Sequence, residues 1–283
     1  MSLATTARAP ELPVHTIAPA SGWVPIRAGE IWEFRELLFF LVWREVKIRY
    51  KQTALGVAWA ILQPVLTMAV FSVFFGRLGR IPSDGLPYPV FAFSALVPWQ
   101  LFAFALAESS NSVVANQRLV TKVYFPRLIM PMAAVCVGLV DFCLSLVVLL
   151  SLMAFYGVPP SGALWTLPLW TLLVVVTALA VGVWLSALNV RYRDIRYTLP
   201  FLTQIWLVAT PVAYPSSMVP AAWRSLYAIN PMVGVVDGFR WALMDGAPAP
   251  TMTVAVSGLV VAALLTGGLF YFRRTERTFA DVI

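Results

Sequence analysis

Few residues in this chain have the type and spacing that do chemistry. Acids in apolar surroundings are the first candidates. Asp141 stands inside an apolar run over 128–156, and Glu108 near the end of another over 88–112. A carboxyl group at membrane depth is costly and marks a functional site by default. The alternative is structural: a hydrogen bond to a neighbouring helix, or a carboxyl that stays protonated. No second acid and no histidine shares the 128–156 run, so a proton relay has no partner there and the structural role is preferred. Cys136 and Cys143 lie in the same run. On a helix they are about 10 Å apart along the axis, too far for a disulfide, and they read as packing residues. The single histidine, His15, stands in a polar N-terminal stretch, and no His/Cys/Asp cluster has metal-ligand spacing. No G-x-x-x-x-G-K-[ST] loop occurs, so the chain does not hydrolyse a nucleotide by that route.

Basic residues say more. Arg44, Lys47, Arg49 and Lys51 form a collar, and residues 52–76 then carry no charge. A basic collar before an uncharged run of more than about 18 residues marks a helix that enters a bilayer from its cytoplasmic face. Such runs recur along the chain. Of its 283 residues 60% are hydrophobic and only 12% charged, about half the charge of a soluble domain. The class is a multi-span helical membrane protein.

The elements that position these residues follow from the pattern. Residues 1–29, with Pro10, Pro13, Pro19 and Pro25, read as a flexible cytoplasmic tail without the apolar centre of a signal peptide. Residues 30–52 read as an amphipathic interface helix. Trp32, Phe39, Trp43, Val46 and Tyr50 share one face, beside a charged strip of Glu33, Glu36, Arg44, Lys47 and Lys51. It anchors in the membrane surface, and docks a cytoplasmic partner as well. Residues 53–272 form the transmembrane domain, and 273–283 a cytoplasmic C-terminal tail. The expected spans are 53–76, 88–112, 128–156, 165–190, 198–213 and 251–272. Between the last two, Pro215, Pro220 and Pro231 punctuate a region with two short helices, 221–229 and 232–244, too short to cross. Asp237 and Arg240, three apart on the second, are spaced to pair across one turn. The fold class is thus all-α integral membrane: six transmembrane helices, an interface helix and two short re-entrant helices between spans five and six.

Charge sets the orientation. Of 20 Lys and Arg, seven lie up to residue 51 and three each in 111–127, in 191–196 and after residue 272. Only Arg77, Arg80, Arg224 and Arg240 remain for the other face. Both termini are then cytoplasmic. The net charge of +7 reflects topology and contact with membrane lipids, and its placement argues against a nucleic-acid partner.

Aromatics are abundant: 18 Phe, 11 Trp and 9 Tyr. An interfacial belt and lipid-facing bulk account for most. A sharper reading is that some line a path for sugar rings, because an aromatic face packs on the C–H face of a pyranose without fixed hydrogen bonds. Phe71, Phe74, Phe75, Tyr88, Trp99, Phe102, Trp206 and Tyr214 are the candidates.

Four stretches together resemble one family: WREVKIRYKQTALGVAWAILQP (43–64), NQRLVTKVYFPRLIMP (116–131), RYRDIRY (191–197) and ERTFADVI (276–283). They resemble the membrane subunit of ABC-2 type polysaccharide exporters, the permeases for O-antigen, capsule and teichoic acid. The likeness runs from about residue 30 to the C-terminus. It implies a homodimer working with two copies of a separate ABC ATPase, which binds ATP and Mg; this chain itself carries no cofactor. By the same resemblance the 116–125 loop, with Asn116, Arg118, Lys122, Tyr124 and Phe125, couples to the ATPase, flanked by Arg191, Arg193 and Asp194. The short helices, with Trp223, Tyr227, Asp237 and Arg240, would form an outer gate. The substrate would be a polysaccharide, most of all O-antigen, on an undecaprenyl-type lipid in the bacterial plasma (inner) membrane. Arg44, Lys47, Arg49 and Lys51 would attract its pyrophosphate, if they do more than anchor the helix. Two alternatives stand beside this: export of a small hydrophobic compound, and a membrane enzyme acting on lipid-linked sugars.

Overall fold

A computed structural model describes residues 28–51, 57–247, 249 and 252–283. The expected N-terminal tail, up to residue 27, and the junction at 52–56 lie outside the described residues, as does residue 251 at the start of the last span. Every described element is helical; the nearest thing to a strand is an isolated antiparallel bridge between Pro160 and Met244. It ties the 157–162 turn to the end of a short helix, helped by Ser161 N donating to the Leu243 carbonyl at 3.0 Å.

Two helices precede the first span: α1 (Ala28–Glu33) and α2 (Arg35–Lys51). Then come α3 (Val57–Phe71), extended by a π-helical turn over Ser72–Leu78, and α4 (Tyr88–Ala115). A six-residue α5 (Gln117–Lys122) separates α4 from α6 (Ile129–Phe155). After α7 (Leu167–Arg191) the elements shorten to α8 (Ile195–Val208), α9 (Ala221–Tyr227) and α10 (Pro231–Leu243). α11 (Met252–Thr275) and α12 (Phe279–Val282) close the chain.

Five helices among the described residues are long and apolar enough to cross a bilayer: Ala58–Leu78, Tyr88–Ala115, Ile129–Phe155, Leu164–Arg191 and Met252–Thr278. The expected fifth span differs. α8 has 14 residues, about 21 Å at ~1.5 Å each, short of a hydrocarbon core of about 30 Å. The cause is local. Pro211 and Pro215 follow, and a residue before proline is pushed out of the α region, so the chain turns at Thr210–Val212.

α4 is the centre of the fold. Of its apolar stretch 78% is buried within the chain, against 11% for the first span. It packs on α6, α7, α10 and α3. Small residues bring α4 and α7 together. A Cβ on Gly182 would stand 2.5 Å from Ser109 Oγ, and Asn189 donates to the Ser110 carbonyl at 3.0 Å. Small side chains and interhelical hydrogen bonds hold helices where lipid supplies no hydrophobic drive. α10 lies inside the bundle, with Val233, Val236 and Phe239 fully buried, while α9 stays on its surface. Asn230 joins this region to α8: it caps α10 through Met232 N at 3.1 Å and accepts from Trp206 Nε1 at 2.8 Å.

A second apolar cluster sits at the α5 end of the bundle. It gathers Leu41, Val120, Phe125, Val190, Phe272 and Phe279. The face of the N-terminal helices that packs here is Phe34, Leu37, Leu38 and Leu41. The expected apolar face points elsewhere: Trp32, Phe39 and Trp43 are exposed, Val46 and Tyr50 half-buried. Both stripes fit the helical period, and only the partner helix distinguishes them. The stretch after residue 272 is likewise more than a tail. It continues as helix, and Phe279 is buried against Phe272 at 5.3 Å between ring centroids.

Candidate functional site

The loop between α4 and α6 is presented by a rigid seat. Val120 and Phe125 are buried in the second cluster. Gln117, Arg118, Thr121 and Lys122 are exposed on α5, followed by exposed Val123 and Tyr124. The seat is built from both ends of the chain. Tyr124 donates to Glu30 of α1 at 3.3 Å. Arg273, at the end of α11, bridges Glu276 at 2.8 Å and Glu30 at 3.5 Å. Arg127 donates to the Glu276 carbonyl and lies 5.9 Å from the Phe279 ring centroid. At the loop's other end Asn116 accepts from Arg44 at 2.9 Å. Phe125 therefore holds the loop in place, whereas Arg118, Lys122 and Tyr124 form its outer surface. Arg191, Arg193 and Asp194 are exposed on the turn before α8. Among the described residues no hydrogen bond or ion pair joins that turn to the 116–125 loop.

The four collar cations diverge. Arg44 is held by Glu45 at 2.5 Å and by Asn116. Arg49 bridges Asp141 at 2.7 Å and lies 4.4 Å over the Phe104 ring. The Tyr50 hydroxyl donates to the same carboxylate. Burial, the hydrogen bond and the negative charge of Asp141 push the Tyr50 phenol up to about 12. Asp141 thus has the structural role preferred for it, and fixes the end of α2 well inside the bundle, about 18 Å along α6 at ~1.5 Å per residue. Lys47 and Lys51 stay exposed, Lys47 over the Trp43 ring at 5.2 Å.

Two cavities flank Arg49 and Phe104, which line both. One, of about 410 Å³, lies between α2, α4 and α6 and includes Arg44, Glu45, Glu108 and Asn116. The other, of about 660 Å³, lies between α3, α4, α6 and the end of α2, and includes Trp59, Gln63, Gln100 and Phe142. None of those four was singled out from the sequence. The available signal was a glutamine within each of two long apolar runs.

The candidate aromatics do not form one line. Trp99 and Phe102 are buried in the core and pack on each other, and Trp206 meets Phe102 edge-on at 4.9 Å. Phe71 and Phe75 pair at 5.2 Å, Tyr88 donates to the Ala213 carbonyl at 2.7 Å, and Phe74 is exposed. On the short helices Trp223 is exposed and Tyr227 donates to the Tyr214 hydroxyl at 3.0 Å. Asp237 and Arg240 attract each other across the turn, and each takes its hydrogen bonds elsewhere. Asp237 accepts from Ser216 at 2.6 Å. Arg240 is buried over the Phe91 ring at 3.7 Å and donates to the Val212 carbonyl at 3.2 Å. Its guanidinium is thereby turned toward α4 and the α8–α9 turn.

A bundle of long apolar helices packed around α4, with a short polar helix at the end of α4, is the form of a helical membrane domain. A family model described as ABC-2 type transporter matches residues 36–244, and the chain belongs to that family. It is similar to the O-antigen export system permease protein RfbA of Myxococcus xanthus, 34% identical over 263 residues, 90% of this chain and 98% of the relative. An O-antigen export system permease protein RfbA of Klebsiella pneumoniae is 26% identical over 252 residues, 88% and 95% of the two chains. The polysialic acid transport protein KpsM of Escherichia coli is 23% identical over 239 residues, 82% and 91% of the two chains.

Proposed function

We propose that this chain is the permease half of an ABC exporter that moves lipid-linked polysaccharide, of the O-antigen class, across the bacterial inner membrane. Two copies work with two separate ATPase subunits, which bind ATP and Mg. The observation that carries this reading is the exposed polar face of α5 on its buried seat. A short helix held from both chain ends is suited to receive force from a partner and pass it to α4 and α6. The similarity to O-antigen and polysialic acid permeases supports a polysaccharide as cargo. The basic collar and loops support cytoplasmic termini, and α8 with α9 and α10 then completes a sixth crossing. Lys47 and Lys51, exposed at the collar, are the cations open to an undecaprenyl-type pyrophosphate, while Arg44 and Arg49 are engaged within the chain.

Co-purification tests the reading. This chain, tagged and expressed with a cognate ABC ATPase, should yield a two-plus-two complex whose ATP hydrolysis responds to lipid-linked glycan. Recovery of this chain without the ATPase, or hydrolysis indifferent to glycan, would overturn it.

A further inference from the structure

Gln63 of α3 and Gln100 of α4 stand in membrane-spanning helices and line the same cavity of about 660 Å³. Gln63 is exposed at the open side of the cavity and Gln100 is half-buried, and among the described residues no hydrogen bond engages either side-chain amide. An occupant that covered these amides without bonding them would cost about 2–7 kcal/mol for each, so the site suits a polar occupant. The other walls narrow its chemistry. Trp59, Phe104 and Phe142 supply aromatic surface, and Trp59 keeps 51% of its surface exposed. The two charged lining residues, Arg49 and Asp141, neutralise each other at 2.7 Å. A pyrophosphate would meet the Asp141 carboxylate without a free cation to offset it. A purely apolar chain would leave both amides unpaired. A neutral ring with hydroxyls at its edge and C–H groups on its face answers both walls: each amide offers a donor and an acceptor, and the aromatic faces attract polarised C–H groups.

We propose that this cavity is a monosaccharide subsite, which takes one neutral pyranose ring of the lipid-linked glycan. The proposal rests on the polysaccharide reading above. Its volume falls in the range of about 300–1,000 Å³ usual for small-ligand pockets. The subsite lies within one protomer, beside the end of α2, and adds a sugar contact to the headgroup contacts of the collar.

The test uses the purified transporter with its ATPase, in nanodiscs, and two probes: a polyprenyl pyrophosphate carrying one N-acetylhexosamine, and the same lipid without sugar. Wild type should bind the sugar-bearing lipid about tenfold more tightly. The double variant Gln63→Leu/Gln100→Leu, whose side chains suit a membrane span, should keep its affinity for the bare lipid and lose the preference. Trp59→Leu should also lower the preference, and Trp59→Phe restore most of it. Equal binding of both lipids by wild type overturns the subsite, as does a preference that survives in the double variant. Export of full-length glycan by wild type in proteoliposomes separates the two levels. Export without the sugar preference removes the subsite alone; no export removes the polysaccharide reading and the subsite with it.

Discussion

The Arg49 guanidinium lies 2.7 Å from the Asp141 carboxylate and joins the end of α2 to the middle of α6. The Tyr50 hydroxyl reaches the same carboxylate, so two consecutive side chains of one helix converge on one acid of another. This pair fixes where the collar meets the bundle and stands between the two cavities.

Removing one partner should cost more than removing both. Asp141→Ala leaves Arg49 and Tyr50 without their acceptor and should lower stability by about 1–2 kcal/mol, less than a fully buried pair would lose, because Arg49 remains 38% exposed. The double variant Arg49→Leu/Asp141→Leu should recover most of the loss. Thermal unfolding in detergent reads both; equal melting of wild type and Asp141→Ala would sink the assignment.

The 116–125 loop should separate two kinds of defect. Arg118→Glu/Lys122→Glu alters the exposed face alone, so the fold should persist while, on the reading proposed above, the partner's ATP hydrolysis and export become uncoupled. Phe125→Ala should instead weaken the seat, by about 3 kcal/mol in the range for buried Phe→Ala changes. Parallel assays of melting temperature, ATPase rate and export distinguish them. Export unaffected by the double charge reversal would remove α5 as the coupling element.

Close packing of α4 on α7 should be intolerant of volume. Gly182→Val would push a side chain into Ser109, at a cost of about 1–3 kcal/mol. Ser109→Gly should relieve part of it, since the contact is between these two side chains. Non-additive melting temperatures across the four-member cycle would confirm the contact; simple additivity would refute it.

The aromatics should divide by burial. Phe102→Ala removes a fully buried ring at the centre of the core and should lower the yield of folded protein. Phe74→Ala removes an exposed ring and should leave the yield intact. If Phe74→Ala also leaves export unchanged, Phe74 has no part in a glycan path.

Much of this fold was legible in the sequence. Long apolar runs between basic loops gave the membrane class and the positions of α4, α6, α7 and α11, because a bilayer demands about 20 apolar residues per crossing. The prolines at 215, 220 and 231 marked the short helices; Pro220 and Pro231 stand at their N-terminal ends, where a missing N–H leaves no helical bond unmade, whereas Pro64, Pro98 and Pro200 lie inside helices. The four resemblance motifs carried the family. Tertiary structure alone decided which face of each helix is inside. In a membrane span nearly every residue is apolar, so periodicity cannot say whether Trp59 or Phe102 lines a cavity or fills the core; packing places one at an opening and the other beneath α8. It also decided partners across the chain. Arg49 was equally fit for a phosphate or a carboxylate, and Asp141, far along the sequence, claims it. Phe125 looked like the tip of a docking loop until Phe279 and Phe272 closed over the cluster that holds it. Composition sets what must leave water, and long-range contacts set which groups meet once it has left.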